Sequence, residues 1–302
     1  MHLHPFTLGE AEEFFHSNGF VWSRLSIIQA YMAIGGVPYY MSLFEKNDSP
    51  ATGLDRLFFS GNAELKKEYR RLFSSLFKNP QPYLEIISLL AKHPNGLTRD
   101  EISKKLNTSN NGRLGDMLTD LVYCDFLRKY NVREKKIKTN SSIYQLVDFY
   151  TIFYNTFTNK SIVEDNFWTR NVNTPEITAW YGLAFERLCK AHMSQIKSAL
   201  GISSVYAEFY TWKTNNIEGG AQIDIIIDRA DNTINLCEVK YCEDLYSLDK
   251  EEFLKIQNRI SAFKNVTGTR SSIIPTMITT FGMKNGMYSD QIISKLDMDA
   301  LF

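Results

Sequence analysis

Apolar positions recur at helical spacing through the first half of the chain and turn to strand spacing near its end. Residues 8–15 form an acidic amphipathic stretch, and residues 25–34 a second one, stopped by Gly35-Gly36 and Pro38. Over residues 64–77, Leu65, Tyr69, Leu72, Phe73 and Leu76 fall at helical spacing with Lys and Arg between them. A helical region over 1–78 is therefore predicted, with a loop at 47–53. The rhythm changes over 79–146. Residues 83–91 predict a short apolar helix, broken by His93-Pro94-Asn95-Gly96. Thr98-Arg99-Asp100-Glu101 has the form of a capping box, in which a threonine oxygen and a glutamate satisfy the free amides of a helix start. That helix should run to about Leu106. Leu114, Met117, Leu118, Leu121 and Val122 mark another. Phe126-Leu127 and residues 142–146 then read as strands around a basic turn.

Residues 147–175 are aromatic and predict a connecting helix and loop. The last block, 176–302, is mixed. Helices are expected at 177–200 and 248–263, the latter with Phe253, Ile256, Ile260 and Phe263 as its buried stripe. Strands are expected at 221–228, 234–241 and 272–280. This α-β-β-α-β order predicts a sheet flanked by helices, so the fold class is multidomain, α plus α/β.

The two strands at 221–228 and 234–241 carry the candidate chemistry. Strand side chains alternate between faces. Ile223, Ile225 and Ile227 would share one face, and Gln222, Asp224 and Ile226 the other. In the second strand Leu236, Glu238 and Lys240 alternate with Cys237, Val239 and Tyr241. A hairpin symmetric about Asp231 sets Asp224 opposite Glu238 and Gln222 opposite Lys240. Two carboxylates so placed repel unless a cation lies between them. A hard divalent ion, Mg²⁺ or Mn²⁺, suits oxygen ligands. Lys240 beside them would orient or help deprotonate a water, or stabilise charge on a phosphate.

Asp224, thirteen intervening residues and then Glu238-Val239-Lys240 resemble the signature of the PD-(D/E)XK nuclease superfamily. The upstream helix position of that family is matched by Glu186, and a polar position after the motif by Gln257. The likeness covers about 120 residues. It implies a restriction-endonuclease-like mixed sheet flanked by helices. It also implies Mg²⁺-dependent phosphodiester hydrolysis, with Asp224, Glu238 and Lys240 catalytic and Glu186, Asp224 and Glu238 holding the metal. Some members of the superfamily only bind. This sequence departs from several relatives at Gln222, where they carry an acid.

Composition adds a location for nucleic acid and little else. The 302 residues carry no net charge, so attraction to a polyanion must be local. Between Lys104 and Lys138 there are nine Lys or Arg and four acids. Three helices and a hairpin over 79–146 resemble a winged helix-turn-helix. Arg113 begins its third helix, and Arg133, Lys135, Lys136 and Lys138 lie in the wing, so these five are the candidate DNA contacts. Leu3 to Ala11 followed by Gly35-Gly36-Val37-Pro38-Tyr39-Tyr40 resembles the lid region of a prokaryotic AAA+-type P-loop ATPase, a family in which a winged helix and a nuclease-like domain follow. No GxxxxGK[ST] is present, so no ATPase activity is expected of this chain. It reads as the C-terminal portion of such an ATPase, with blocks 1–78, 79–146, 147–175 and 176–302. DNA, an ATPase domain or another protein is the expected partner. Cysteines without a CxxC pair, no apolar run of roughly 18 residues and no signal-peptide pattern predict a cytoplasmic protein without a membrane partner.

Overall fold

The computed structural model describes residues 4–131, 142–158, 165–214 and 221–302. The chain is mixed α/β and divides into two compact units. One gathers the residues up to Phe6 with Gln29–Val172, and the other Thr7–Ile28 with Asn173–Phe302.

In the first unit the helices Pro38–Ser42, Pro50–Leu54 and Glu64–Leu76 precede Gln81–Ala91, Arg99–Lys105 and Gly112–Tyr123. The predicted loop at 47–53 is in part helix, because Ser49 caps a new turn with Pro50 in its first position. The capping box at Thr98 and Glu101 forms as its spacing required. Strands β1 (Leu97–Thr98), β2 (Leu127–Asn131) and β3 (Ser142–Leu146) make an antiparallel sheet in the order β1-β3-β2. Gly96 approaches β3 so closely that a Cβ would stand 2.6 Å from the Tyr144 carbonyl oxygen, and its φ of +75° suits glycine alone. The aromatic stretch after β3 forms the helix Phe149–Phe153 and a π-helical turn, Tyr154–Thr158. Phe58, Phe59 and Trp168 pack against its Phe153, and Trp168 also against Phe157.

In the second unit the helix expected over 177–200 is two helices, Pro175–Ala191 and Met193–Ala199. They part at His192, whose ψ of 35° leaves the helical region. The break puts the buried imidazole to use. Its Nε2 accepts the Leu8 N–H at 3.1 Å, so Nδ1 carries the proton and donates to the Leu188 carbonyl at 3.0 Å. This bond, the Arg24–Asp299 ion pair and the approach of Gly9 to Phe302 explain why residues 7–28 group with the C-terminal unit.

Burial lowers the His192 pKa, and its bond to Leu188 offsets that only in part. The folded chain thus resists the proton that the unfolded chain accepts near 6.5. The contribution of His192 to stability is full above that value and is lost as pH falls through its folded-state pKa. Denaturant unfolding from about pH 7 to pH 5 is expected to show a slope that His192→Gln reduces. An unchanged slope in the variant would show that His192 contributes nothing to it.

The sheet of this unit has five strands: β4 (Ala207–Thr214), β5 (Ala221–Arg229), β6 (Thr233–Lys240), β7 (Ser272–Thr279) and β8 (Ser294–Leu296), in that spatial order. β4, β5 and β6 are antiparallel; β6, β7 and β8 are parallel. β6 is therefore central, and its residues from Ile234 to Val239 are all buried. Pro175–Ala191 packs on β6, and Lys250–Thr267 packs on β5 and β7. Among the described residues no helix is long and apolar enough to cross a membrane.

Candidate active site

The β5–β6 hairpin has the register its symmetry predicted. Arg229 pairs with Thr233 and each following pair keeps step, up to Ile225 with Cys237. There the ladder ends, one pair short of Asp224 and Glu238. β6 runs on against β7 as far as Lys240. In place of a ladder bond, the Val239 N–H donates to Asp224 Oδ2 at 3.0 Å. The expected facing of Gln222 and Lys240 lies beyond the ladder.

A bulge corrects the expected faces of β5. Tyr210 pairs with Ile226, but Trp212 pairs with Ile223. Two steps along β4 match three along β5, which is a β-bulge. Ile223 and Ile226 consequently enter one apolar cluster with Ile234, Leu236 and Phe263. Strict alternation would have put Ile223 and Ile226 on opposite faces. Asp224 sits inside the irregular stretch, where a bulge re-aims a side chain.

Asp224 has a perturbed acidity. Its pKa is raised from 3.8 to about 7, by burial first and then by the charges of Glu238 and Glu186. The Val239 amide and Lys190 pull the other way without prevailing. Three carboxylates predicted from the sequence are thus electrostatic neighbours. Each of the other two already has a cation. Glu186 pairs with Lys190 one turn along its helix. Glu238, only 7 % exposed, lies 3.0 Å from Lys240 Nζ and 2.6 Å from Arg259 Nη1. Lys240 Nζ lies also 2.9 Å from Glu252. Burial alone would lower the lysine pKa, but Glu238 and Glu252 outweigh it and hold it above its ordinary value. Burial likewise opposes the charge of Glu252, yet Lys240 holds its pKa low.

No family model, curated protein or solved structure matches this chain. What the site can do therefore follows from its own contacts. Among the described residues no three His, Cys, Asp or Glu side chains are gathered closely enough to share one metal ion. Glu186, turned to Lys190, does not complete such a group. Mg²⁺, however, is commonly held by one or two carboxylates with water and substrate phosphate as its other ligands. Asp224 and Glu238 fit that demand: both offer hard oxygen donors, and the raised Asp224 pKa marks negative charge that a cation would relieve.

Lys190, Glu252 and Arg259 were not foreseen. Glu252 and Arg259 stand two turns apart on Lys250–Thr267, beside its buried stripe, so their polar spacing was a readable signal. Gln257 is half-buried and bonds none of the site carboxylates among the described residues.

Arg113 is exposed in the first turn of Gly112–Tyr123. It lines a cavity of about 200 Å³ with Lys78, Asn79, Tyr83 and Asp116. Arg133, Lys135, Lys136 and Lys138 lie outside the described residues.

Proposed function

We propose that this chain is a DNA-associated protein whose C-terminal unit hydrolyses phosphodiesters with Mg²⁺. The observation that carries the reading is Asp224: a half-buried acid at a β-bulge, tied to the backbone of β6, with its pKa lifted toward 7 beside Glu238. Strongly perturbed acids next to a charge partner concentrate at functional sites. The mixed sheet with helices packed on it is, in this reading, of the restriction-endonuclease-like kind, and residues 79–146 are a winged helix. The chain would then serve as the C-terminal portion of an AAA+-type ATPase.

Asp224 and Glu238 would hold the ion, which when bound activates water and neutralises phosphate charge. The chain's own residues supply the rest. The Val239 amide fixes one Asp224 oxygen and so aims the other. Lys240, kept protonated by its two glutamates, is a fixed cation for a phosphate oxygen rather than a base. Of the roles its position first suggested, charge stabilisation is the one its acidity supports.

With Mg²⁺ or Mn²⁺ the protein should nick plasmid or cut oligonucleotide DNA. Asp224→Asn should reduce this to background, and Lys240→Ala should reduce it by about 10²–10³-fold. Cleavage at the wild-type rate in both variants would refute the assignment.

One observation favours a second reading, a non-catalytic module that binds DNA or a partner protein. Glu238 is already neutralised from two sides, by Lys240 and Arg259. Salt-dependent DNA binding that ignores divalent metal would support it.

A further inference from the structure

Glu238 is surrounded by more positive charge than one buried carboxylate requires. A single well-placed cation offsets most of the cost of its burial, and two are present, at 3.0 Å and 2.6 Å. They are not equivalent. Lys240 is shared with Glu252 at 2.9 Å and so is anchored without Glu238. Arg259 comes within 2.6 Å of its acid with Nη1, which makes no hydrogen bond. Its side chain as a whole is 28 % exposed, although Nη1 itself is buried. A guanidinium is a planar fork of five donors, matched to two oxygens of a phosphate at once. Here its Nη1 faces Glu238 Oε2 without a hydrogen bond. It holds its acid by charge alone, at the oxygen a metal would need.

We propose that Arg259 recruits the substrate phosphate, and that its exchange between Glu238 and that phosphate makes metal binding depend on nucleic acid. The proposal rests on the Mg²⁺-dependent reading given above. In the free protein a divalent ion must displace the guanidinium to reach Glu238 Oε2. A phosphodiester gives the fork a two-oxygen partner and leaves the carboxylate to the metal. The metal affinity seen without DNA is then reduced by the small fraction of molecules in which Glu238 is free. Thermodynamic reciprocity follows: whatever factor DNA adds to metal affinity, metal adds to DNA affinity. Lys240 stays in place throughout, since Glu252 holds it.

The test is calorimetric titration of Mn²⁺ into the full chain, alone and with a short DNA duplex of phosphorothioate linkages that resists cleavage. The wild type should bind Mn²⁺ about tenfold more tightly with the duplex than without. Arg259→Gln should bind Mn²⁺ without DNA about tenfold more tightly than the wild type does, and gain little from the duplex. Thermal melts establish that this variant is folded. If it is not, Arg259→Lys is read instead, and should keep the weak affinity without DNA while losing most of the duplex-dependent gain. Asp224→Asn separates the two levels of the argument. Loss of Mn²⁺ binding in Asp224→Asn, with Arg259→Gln or its lysine substitute behaving as wild type, overturns the role of Arg259 and leaves the metal site standing. Mn²⁺ binding undiminished in Asp224→Asn, or absent from every protein, overturns both.

Discussion

At pH 8 and without divalent metal, Asp224→Asn is expected to be more stable than the wild type by about 2–4 kcal/mol, while having lost cleavage. The sign follows from the raised acidity constant. Asp224 titrates near 3.8 in the unfolded chain and near 7 in the folded one. Between those values the folded chain holds a proton that the unfolded chain has released. The contribution of Asp224 to wild-type stability therefore falls as pH rises through this window, and its whole cost is present at pH 8. Asparagine carries no charge and keeps an oxygen to accept the Val239 N–H. Its advantage should shrink as pH falls through this window and vanish well below 3.8, where aspartate is protonated in both states. Divalent metal should invert the order. On the proposed reading Mg²⁺ should bind only the folded wild type, so its melting temperature should rise with metal concentration, whereas that of the variant should stay fixed. Thermal melts across pH, with Mg²⁺ or a chelator, give all of these comparisons. A variant less stable than wild type at pH 8 would show that Asp224 is an ordinary structural carboxylate.

That same residue shows how far the site was legible in the sequence. The register from Ile225–Cys237 to Arg229–Thr233 followed from the hairpin's symmetry, because slipping by one residue would expose a run of isoleucines. The nearness of Asp224 and Glu238 followed from it in turn. The bulge did not, since strict alternation was assumed and the irregularity is imposed by β4. β4 was itself overlooked, although Ala207–Thr214 is rich in the aromatic and β-branched residues that strands favour. The break at His192 was hidden because Pro175–Ala191 and Met193–Ala199 are both apolar at helical spacing. Only the bond from Leu8, 184 positions away, reveals why the chain turns there. Arg259 and Glu252 were missed for a similar reason. Their polarity is visible in the sequence, but their partners are set by how Lys250–Thr267 packs on the sheet. Local pattern placed the elements; long-range contacts chose which side chains meet.

The largest loss of stability is expected in the first unit, from Asp55→Ala. Asp55 is 5 % exposed and begins the π-helical turn Asp55–Phe59. Its Oδ1 accepts the Trp168 N–H at 2.6 Å, and its Oδ2 accepts the Thr169 N–H at 2.9 Å together with the Thr169 hydroxyl. These amides open the helix Phe167–Asn171, whose own cap residue, Asn166, is left-handed and gives no side-chain bond. Asp55 thus caps that helix from 113 positions away, and its charge faces the positive end of the helix dipole. Alanine would leave three donors without this acceptor, the buried Trp168 amide among them. Bonds to a buried charge are each worth about 1.5–3 kcal/mol, and losing this set should cost about 3–5 kcal/mol. Asp55→Asn retains one acceptor but turns an NH₂ group toward a donor, so its cost should be smaller and it remains measurable if alanine does not fold. Amide exchange gives the decisive reading, because the Trp168 and Thr169 protons should lose protection ahead of the rest of the unit. Variants that melt within about 0.5 kcal/mol of wild type, with those protons still protected, would show that this distant cap does not hold the helix.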